Sequence, residues 1–206
     1  MSFEELVDRA RALAGRGERV LLGIAGAPGS GKSTLARRLV DALGADAALV
    51  GMDGFHLAQR ELERLGRAER KGAPDTFDVE GYLHLLIRLK TTGQEVVYAP
   101  EFRREIEEPV ACAVPVDPAV PLVVTEGNYL LVPEGPWARV RPLLDEAWFL
   151  LPDERVRLDR LVERHMRYGR SAEQARHRAA HGPDAANAAL VNAAQAVPDL
   201  VITDLA

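Results

Sequence analysis

The chain of 206 residues holds a single cysteine, no surplus of positive charge and no long apolar run, and each shortage closes off a class of protein. Cys112 cannot close an intramolecular disulfide, and it has no companion at the spacing of a structural zinc site. A reducing compartment follows, with Cys112 expected as a small residue packed in a strand. With 26 Lys and Arg against 31 Asp and Glu, the formal net charge is -5. That balance argues against a broad basic face for nucleic acid while allowing a local basic pocket. No stretch reaches the length an apolar helix needs to cross a bilayer. Segment 1–17 places Glu4, Glu5 and Asp8 among Phe3, Leu6, Val7, Ala10 and Leu13, the pattern of an amphipathic helix rather than a signal peptide. The expectation is a cytoplasmic protein of one domain, 1–206, long enough to cover a sheet with helices on both faces.

What the chain does have is a concentration of glycine in "GIAGAPGSGKSTLARRL", residues 23–39. The spacing Gly26-x-x-x-x-Gly31-Lys32-Ser33 is that of a phosphate-binding loop. Unhindered backbone N–H groups along Gly26, Ala27, Pro28, Gly29, Ser30, Gly31, Lys32, Ser33 and Thr34 wrap phosphates, Pro28 lending none. Lys32 reaches the β- and γ-phosphates, and Ser33 ligates magnesium. A genuine loop must leave a buried strand and enter a helix N-terminus, whose free N–H groups and dipole favour an anion. "RVLLGIA" before it is a short apolar run, and "STLARRLVDALG" after it repeats Leu35, Leu39, Val40 and Leu43 at helical spacing up to Gly44. A glycine-rich turn that binds nothing would not require both flanks. ATP with Mg2+ is therefore the expected ligand.

Further strands are expected at "AALVGMD" (47–53), "PLVVTEG" (121–127), "EAWFLL" (146–151) and "DLVIT" (199–203), making five with the first. Helical stretches lie between them, at 78–93, around Trp137 to Leu144, at 152–169 and at 171–182. This alternation predicts an α/β fold of three α/β/α layers around a mainly parallel five-stranded sheet. Segment 95–116 breaks the rhythm with two β-like runs around a charged middle, a strand or hairpin excursion beside the substrate pocket. Residues 164–182 are expected to form a helical lid.

In such sheets the ligand crevice lies outside the carboxyl ends of the strands. Asp53 in "GMDGFH" and Glu126 in "TEGNY" stand at two of those ends, each followed by a glycine that would let the chain turn. For either acid alone, a solvated strand end is the competing explanation. Transfer of a phosphoryl group to a hydroxyl needs in-line positioning, charge neutralisation and a carboxylate to take the proton.

These residues together resemble the phosphoribulokinase/uridine kinase family of P-loop kinases, which includes bacterial type I pantothenate kinase. "GIAGAPGSGKSTLA" is similar to the family's nucleotide loop and "MDGFH" to its aspartate-bearing second strand. "RKGAPDTFD" is similar to the segment that follows, "VVTEGNYLL" to the third, acidic strand, and "RLVERHMRYGR" to the arginine-bearing lid. The resemblance covers nearly all of the chain after the first helix. It implies Lys32 on the phosphates, Ser33 on magnesium, Asp53 as general base, Glu126 on magnesium directly or through water, and Arg170 on the transferring phosphoryl group. Arg164 and Arg167 are secondary lid candidates, because basic residues on an amphipathic helix commonly form a solvated face. His56 could bond a substrate hydroxyl or orient the base, or be simply a packed histidine. Phe55 and Phe77 are expected as pocket wall or core.

Departures from the family pattern narrow the substrate. Uridine kinases carry an aspartate for the ribose where this chain has Gly72, a position that looks more like the pantothenate kinase version. The excursion offers Tyr98 and Phe102 but chiefly Arg103, Arg104, Glu105, Glu107 and Glu108. Phe102, Arg103 and Arg104 are candidate acceptor contacts, the arginines either gripping a polar or anionic acceptor or pairing with the neighbouring glutamates on a solvated hairpin. Short bacterial members of the family, described as nucleoside/nucleotide kinase-like or fructose-transport-associated kinases, look closest. The activity implied is ATP- and Mg2+-dependent phosphorylation of a hydroxyl on a sugar, nucleoside or pantothenate-like alcohol. A nucleotide-binding regulator or accessory ATPase is the alternative, and a nucleoside monophosphate kinase a third. The partner implied is a small molecule, with no nucleic acid and no membrane, and with a homodimer left open.

Overall fold

A computed structural model describes residues 1–91, 93, 95–193 and 196–204. Strand β1 (Val20–Gly26) is buried along its whole length and lies at the centre of a five-stranded sheet. The order is β2 (Ala47–Gly51), β5 (Leu122–Gly127), β1, β6 (Glu146–Leu150) and β7 (Leu200–Ile202), all neighbours parallel. Alternation along each strand sorts the core into two layers. Leu22, Ile24, Val124 and Trp148 face α1 (Phe3–Ala14) and α2 (Lys32–Leu43), whose Leu6, Leu13, Leu35 and Leu39 are fully enclosed with them. Leu21, Val123 and Phe149 face the opposite way, onto Tyr82, Leu85, Leu86 and Leu89 of α4 (Val79–Lys90), and this second layer also takes in Val191 of α7 (Pro183–Ala193). The three-layer fold expected from the sequence is the fold observed.

α1 begins with a capping box, Ser2 and Glu5 each satisfying the other's backbone N–H. α4 is capped by Asp78 and ends at Lys90, short of the expected Gly93, because Thr91 already leaves helical geometry; Thr92 lies outside the described residues. The interval around Trp137 to Leu144 is not an α-helix but two 3-10 turns, Gly135–Arg139 and Arg141–Leu143. Pro136 and Pro142 each lack the N–H that a continuous α-helix would need. Two helices were not foreseen: α3 (Gln59–Arg64), a single short piece, and α7, which starts at Pro183 immediately after Gly182 ends α6 (Ala172–His181).

The 95–116 excursion is an antiparallel hairpin, β3 (Val97–Arg103) with β4 (Glu108–Val116), whose register shifts between Ala99 and Glu101. Cys112 belongs to β4 but is exposed rather than packed, with φ at +55°. It lies opposite that register shift, where the paired ladder is interrupted and the neighbouring Ala111 is exposed as well. α5 (Glu154–Arg167), α6 and α7 follow β6, and Arg164, Arg178 and Asp184, one from each, line a cavity together with Lys32 and Asp53. No helix among the described residues is long and apolar enough to cross a membrane.

Candidate active site

The loop from Gly26 to Gly31 is built by close approach. A Cβ at Gly29, where φ is +85°, would stand 2.6 Å from the Arg157 carbonyl; one at Gly26 would stand 2.6 Å from Ser30 Oγ. Gly31, with φ at +98°, hands the chain to α2 in a left-handed conformation that favours glycine. The Ser30 hydroxyl is buried inside the turn with no hydrogen-bond partner among the described residues. A buried, unanswered hydroxyl in a bare cradle at a helix N-terminus suits an oxyanion.

α5 holds this loop from outside. Arg157 Nη1 donates to the Pro28 carbonyl at 2.7 Å, and the same guanidinium is clamped by both Glu154 oxygens at 2.7 and 2.6 Å. Arg160 reaches the Ser30 carbonyl at 3.3 Å one turn later.

Lys32 is buried, and among the described residues its ammonium has only a long contact, 3.4 Å, to the Ala27 carbonyl. Burial pushes its pKa down, against the pull of Glu126 and Asp53. Parallel pairing sets Glu126 of β5 beside Ile24 of β1 and Gly51 of β2, and Ser33 Oγ donates to its Oε1 at 3.0 Å. Burial raises the Glu126 carboxyl above its ordinary range. A hydroxyl and a carboxylate, two oxygen donors, fit a hard cation such as Mg2+ that completes its shell with water and phosphate oxygens.

Asp53 sits in a 3-10 turn (Met52–Phe55) just past β2. Its carboxylate takes a hydrogen bond from Arg104 Nη2 at 3.1 Å. Burial pushes its pKa up, but His56, Arg104, Lys32 and Arg164 together outweigh that and hold the group below the usual carboxylate range. The glycine after each acid has a different use from the turning role expected. A Cβ on Gly54 would stand 2.5 Å from the Pro100 carbonyl, and one on Gly127 would stand 2.6 Å from Met52, so both exist for close packing. His56 donates from Nδ1 to the Asp53 carbonyl at 2.7 Å, its ring between Phe77 and Phe102 with centroids 4.1 and 4.6 Å away. Burial lowers its pKa, against the pull of the Asp53 carboxylate.

Two cavities meet at this point. One of about 1090 Å³ opens between the loop, the hairpin and α5; the other, about 500 Å³, lies on the far side of Asp53 under α6 and α7. Lys32, Ser33, Asp53, Arg104, Glu126 and Arg164 line both. Arg164 is half-buried, and burial together with Arg104 lowers its pKa. Arg170 is exposed and lines only the second cavity; Arg167 and Arg103 line only the first. The two hairpin arginines part company, Arg104 turning to Asp53 and Arg103 to Glu101 at 3.7 Å. Glu108 is taken up by the Gln59 backbone N–H, not by either arginine.

Sequence reading missed two buried polar groups on α7. Asp184 accepts from His165 Nε2 at 2.7 Å and lies 3.6 Å from Arg178 Nε, drawing α5, α6 and α7 together. Asn187 Nδ2 donates to the Gly72 carbonyl at 3.1 Å, which also accepts from Tyr129 Oη at 2.5 Å. Polar residues in an alanine-rich run with no place in a known motif were the available signal.

A phosphate cradle, a strand-end acid beside its serine and a second carboxylate between two cavities define a P-loop small-molecule kinase. The chain belongs to the phosphoribulokinase/uridine kinase family, whose model matches residues 21–202. It is 35% identical to a candidate uridine kinase of Schizosaccharomyces pombe over 99% of this chain and 91% of that protein. A crystal structure of a candidate fructose transport system kinase from Silicibacter sp. TM1040 superposes with a TM-score of 0.87 at 37% identity, covering 98% of this chain and 99% of that one. A Nocardioides pantothenate kinase is 36% identical over 59% of this chain, which spans only 37% of that protein. Members of this family phosphorylate small metabolites with ATP.

Proposed function

We propose that the chain transfers the γ-phosphoryl group of ATP to a hydroxyl of a small polar metabolite, a sugar, nucleoside or pantothenate-like alcohol. The observation that carries this reading is Asp53, an ionised carboxylate at the junction of the two cavities and within the same charge cluster as Lys32. The relatives' names mention uridine, fructose and pantothenate, three compounds that all carry hydroxyl groups.

In this reading the loop and Lys32 hold the ATP phosphates in the larger cavity, and the acceptor enters the smaller one. Ser33 and Glu126 hold Mg2+, which when bound neutralises charge on the phosphate oxygens. Asp53 accepts the proton of the attacking hydroxyl as its oxygen bonds to phosphorus and ADP departs. The low pKa of Asp53 keeps it deprotonated at neutral pH, as a base requires. Its modest basicity is adequate because catalysis of phosphoryl transfer is dominated by positioning and charge stabilisation. Arg164 and Arg170 supply positive charge to the transferring group from the lid, and His56, bonded to the Asp53 backbone, orients the base.

The test compares ATP consumption with and without a pool of sugars, nucleosides and hydroxy acids, in the native chain and in Asp53→Asn. Turnover that depends on the pool, and falls by about two to four orders of magnitude in the variant with ATP affinity kept, is the expected result. Turnover indifferent to the pool would instead mark an accessory ATPase.

A further inference from the structure

α5 changes character halfway along. Up to Leu161 it is fastened to the phosphate loop by Arg157 and Arg160 and by that buried leucine. Beyond Leu161 none of its residues is buried, and Met166 and Tyr168 stand exposed. Among the described residues, one side chain of this second half bonds another element: His165 Nε2 donates to Asp184 Oδ2 of α7 at 2.7 Å. That carboxylate is well founded. Asp184 and Asn187 share one face of α7, Asn187 Nδ2 bonds the Gly72 carbonyl at 3.1 Å, and Ala188 and Val191 of the same helix are packed into the apolar layer on the sheet. Burial raises the Asp184 pKa, but His165, Arg178 and Arg164 together outweigh that and hold the group below the usual carboxylate range. Arg178 Nε stands 3.6 Å from Asp184, beyond hydrogen-bond reach, so it adds charge while the imidazole sets direction.

Arg164, next to His165 in sequence, lines both cavities yet makes no hydrogen bond or ion pair of its own among the described residues. Adjacent residues on an α-helix project about 100° apart, so fixing His165 fixes the rotation of α5 and with it the direction of Arg164. A helix end with so few buried contacts would otherwise open readily. We infer that Asp184 is a positioning residue for phosphoryl transfer: from the anchored α7 it holds His165, and through the turn of α5 that the imidazole shares with Arg164 it keeps that guanidinium on the γ-phosphate of ATP. This rests on the kinase reading above for the place of ATP, and adds the residue that aligns the lid with it. A plain tie between helices would steady the lid without favouring one nucleotide over another.

The experiment measures nucleotide binding, so that its outcome is separate from the assay of the kinase reading. Calorimetry gives the dissociation constants of ADP and of a non-hydrolysable ATP analogue, each with Mg2+, and their ratio reads the hold on the γ-phosphate. Arg164→Ala and Asp184→Ala should each shift that ratio about tenfold in favour of ADP, the loss of one charged contact, while ADP itself binds within about twofold of its native affinity. The double variant should shift it no further than either single one, because one residue acts through the other. His165→Ala, which cuts the same bond from the other side, should match them, and His165→Gln, which keeps an N–H donor, should recover most of the native ratio; this pair decides the matter if Asp184→Ala does not fold. A native ratio in Arg164→Ala or in His165→Ala, additive shifts in the double variant, or an equal loss of both nucleotides would each overturn the inference. Absence of pool-dependent ATP turnover would defeat the kinase reading and leave these ratios untouched.

Discussion

At the scale of single residues, the site is a set of charges that hold one another in unusual states. Lys32, Arg104 and Arg164 crowd around Asp53, and each cation is felt by the carboxylate. Arg104 is the one that touches it, and the hairpin arginine beside it does not. The pair therefore separates experimentally. A hydrogen bond to a charged group contributes about 1.5–3 kcal/mol, roughly 10- to 100-fold in an equilibrium constant. Arg104→Ala should raise the acceptor KM by about that factor with the ATP KM unchanged, whereas Arg103→Ala, losing one exposed pair, should stay within about twofold. Steady-state kinetics with each substrate varied in turn would decide it. Equal effects of the two substitutions would mean that the Arg104 bond to Asp53 has no part in acceptor binding.

At the scale of elements, α5 acts as a strut between the lid and the phosphate loop. Its N-terminal half presses on Gly29 and grips Pro28 through Arg157, while its C-terminal half carries Arg164 into the cleft and His165 to Asp184 of α7. Any tilt of the lid must pass through the loop's own backbone. Arg157→Met would leave the buried Pro28 carbonyl unanswered, at about 1–3 kcal/mol, and let the loop relax. The expected outcome is a melting temperature lower by roughly 2–10 °C for a chain of this size, with a raised KM for ATP and little change in the acceptor KM. A change confined to the acceptor would place Arg157 on the other side of the site. Much of this architecture was legible because it is local. Gly26 to Ser33 declares itself by spacing, and the strands around it by apolar runs. What spacing could not reveal are contacts made only by folding: Arg104 and Asp53 are 51 residues apart, and Asn187 and Gly72 are 115 apart. Pro136 and Pro142 were visible, but the apolar Trp137, Val140, Leu143 and Leu144 around them mimicked a helical face and hid the 3-10 turns.

At the scale of the whole molecule, the sheet and its two apolar layers are complete without the site, and the site carries a cost that a ligand can remove. The Lys32 ammonium is enclosed with no ion pair among the described residues, and burial disfavours its charged form. It packs no apolar core, so its removal deletes an electrostatic cost along with a phosphate contact. Native protein saturated with ATP and Mg2+ at about a hundred times the dissociation constant should gain about 2.7 kcal/mol of stability, roughly 5–10 °C in melting temperature. Lys32→Ala should melt no lower than the native chain when unliganded, yet lose most of that gain and all measurable phosphoryl transfer. Chelation of Mg2+ should diminish the gain in the native chain and change little in the variant, because in the variant the phosphates are no longer held. The measurement is a set of four melting curves, each chain with and without nucleotide, repeated with chelator. If Lys32→Ala were markedly less stable without ligand, the lysine would be part of the scaffold, and its loss of activity would say nothing about phosphate.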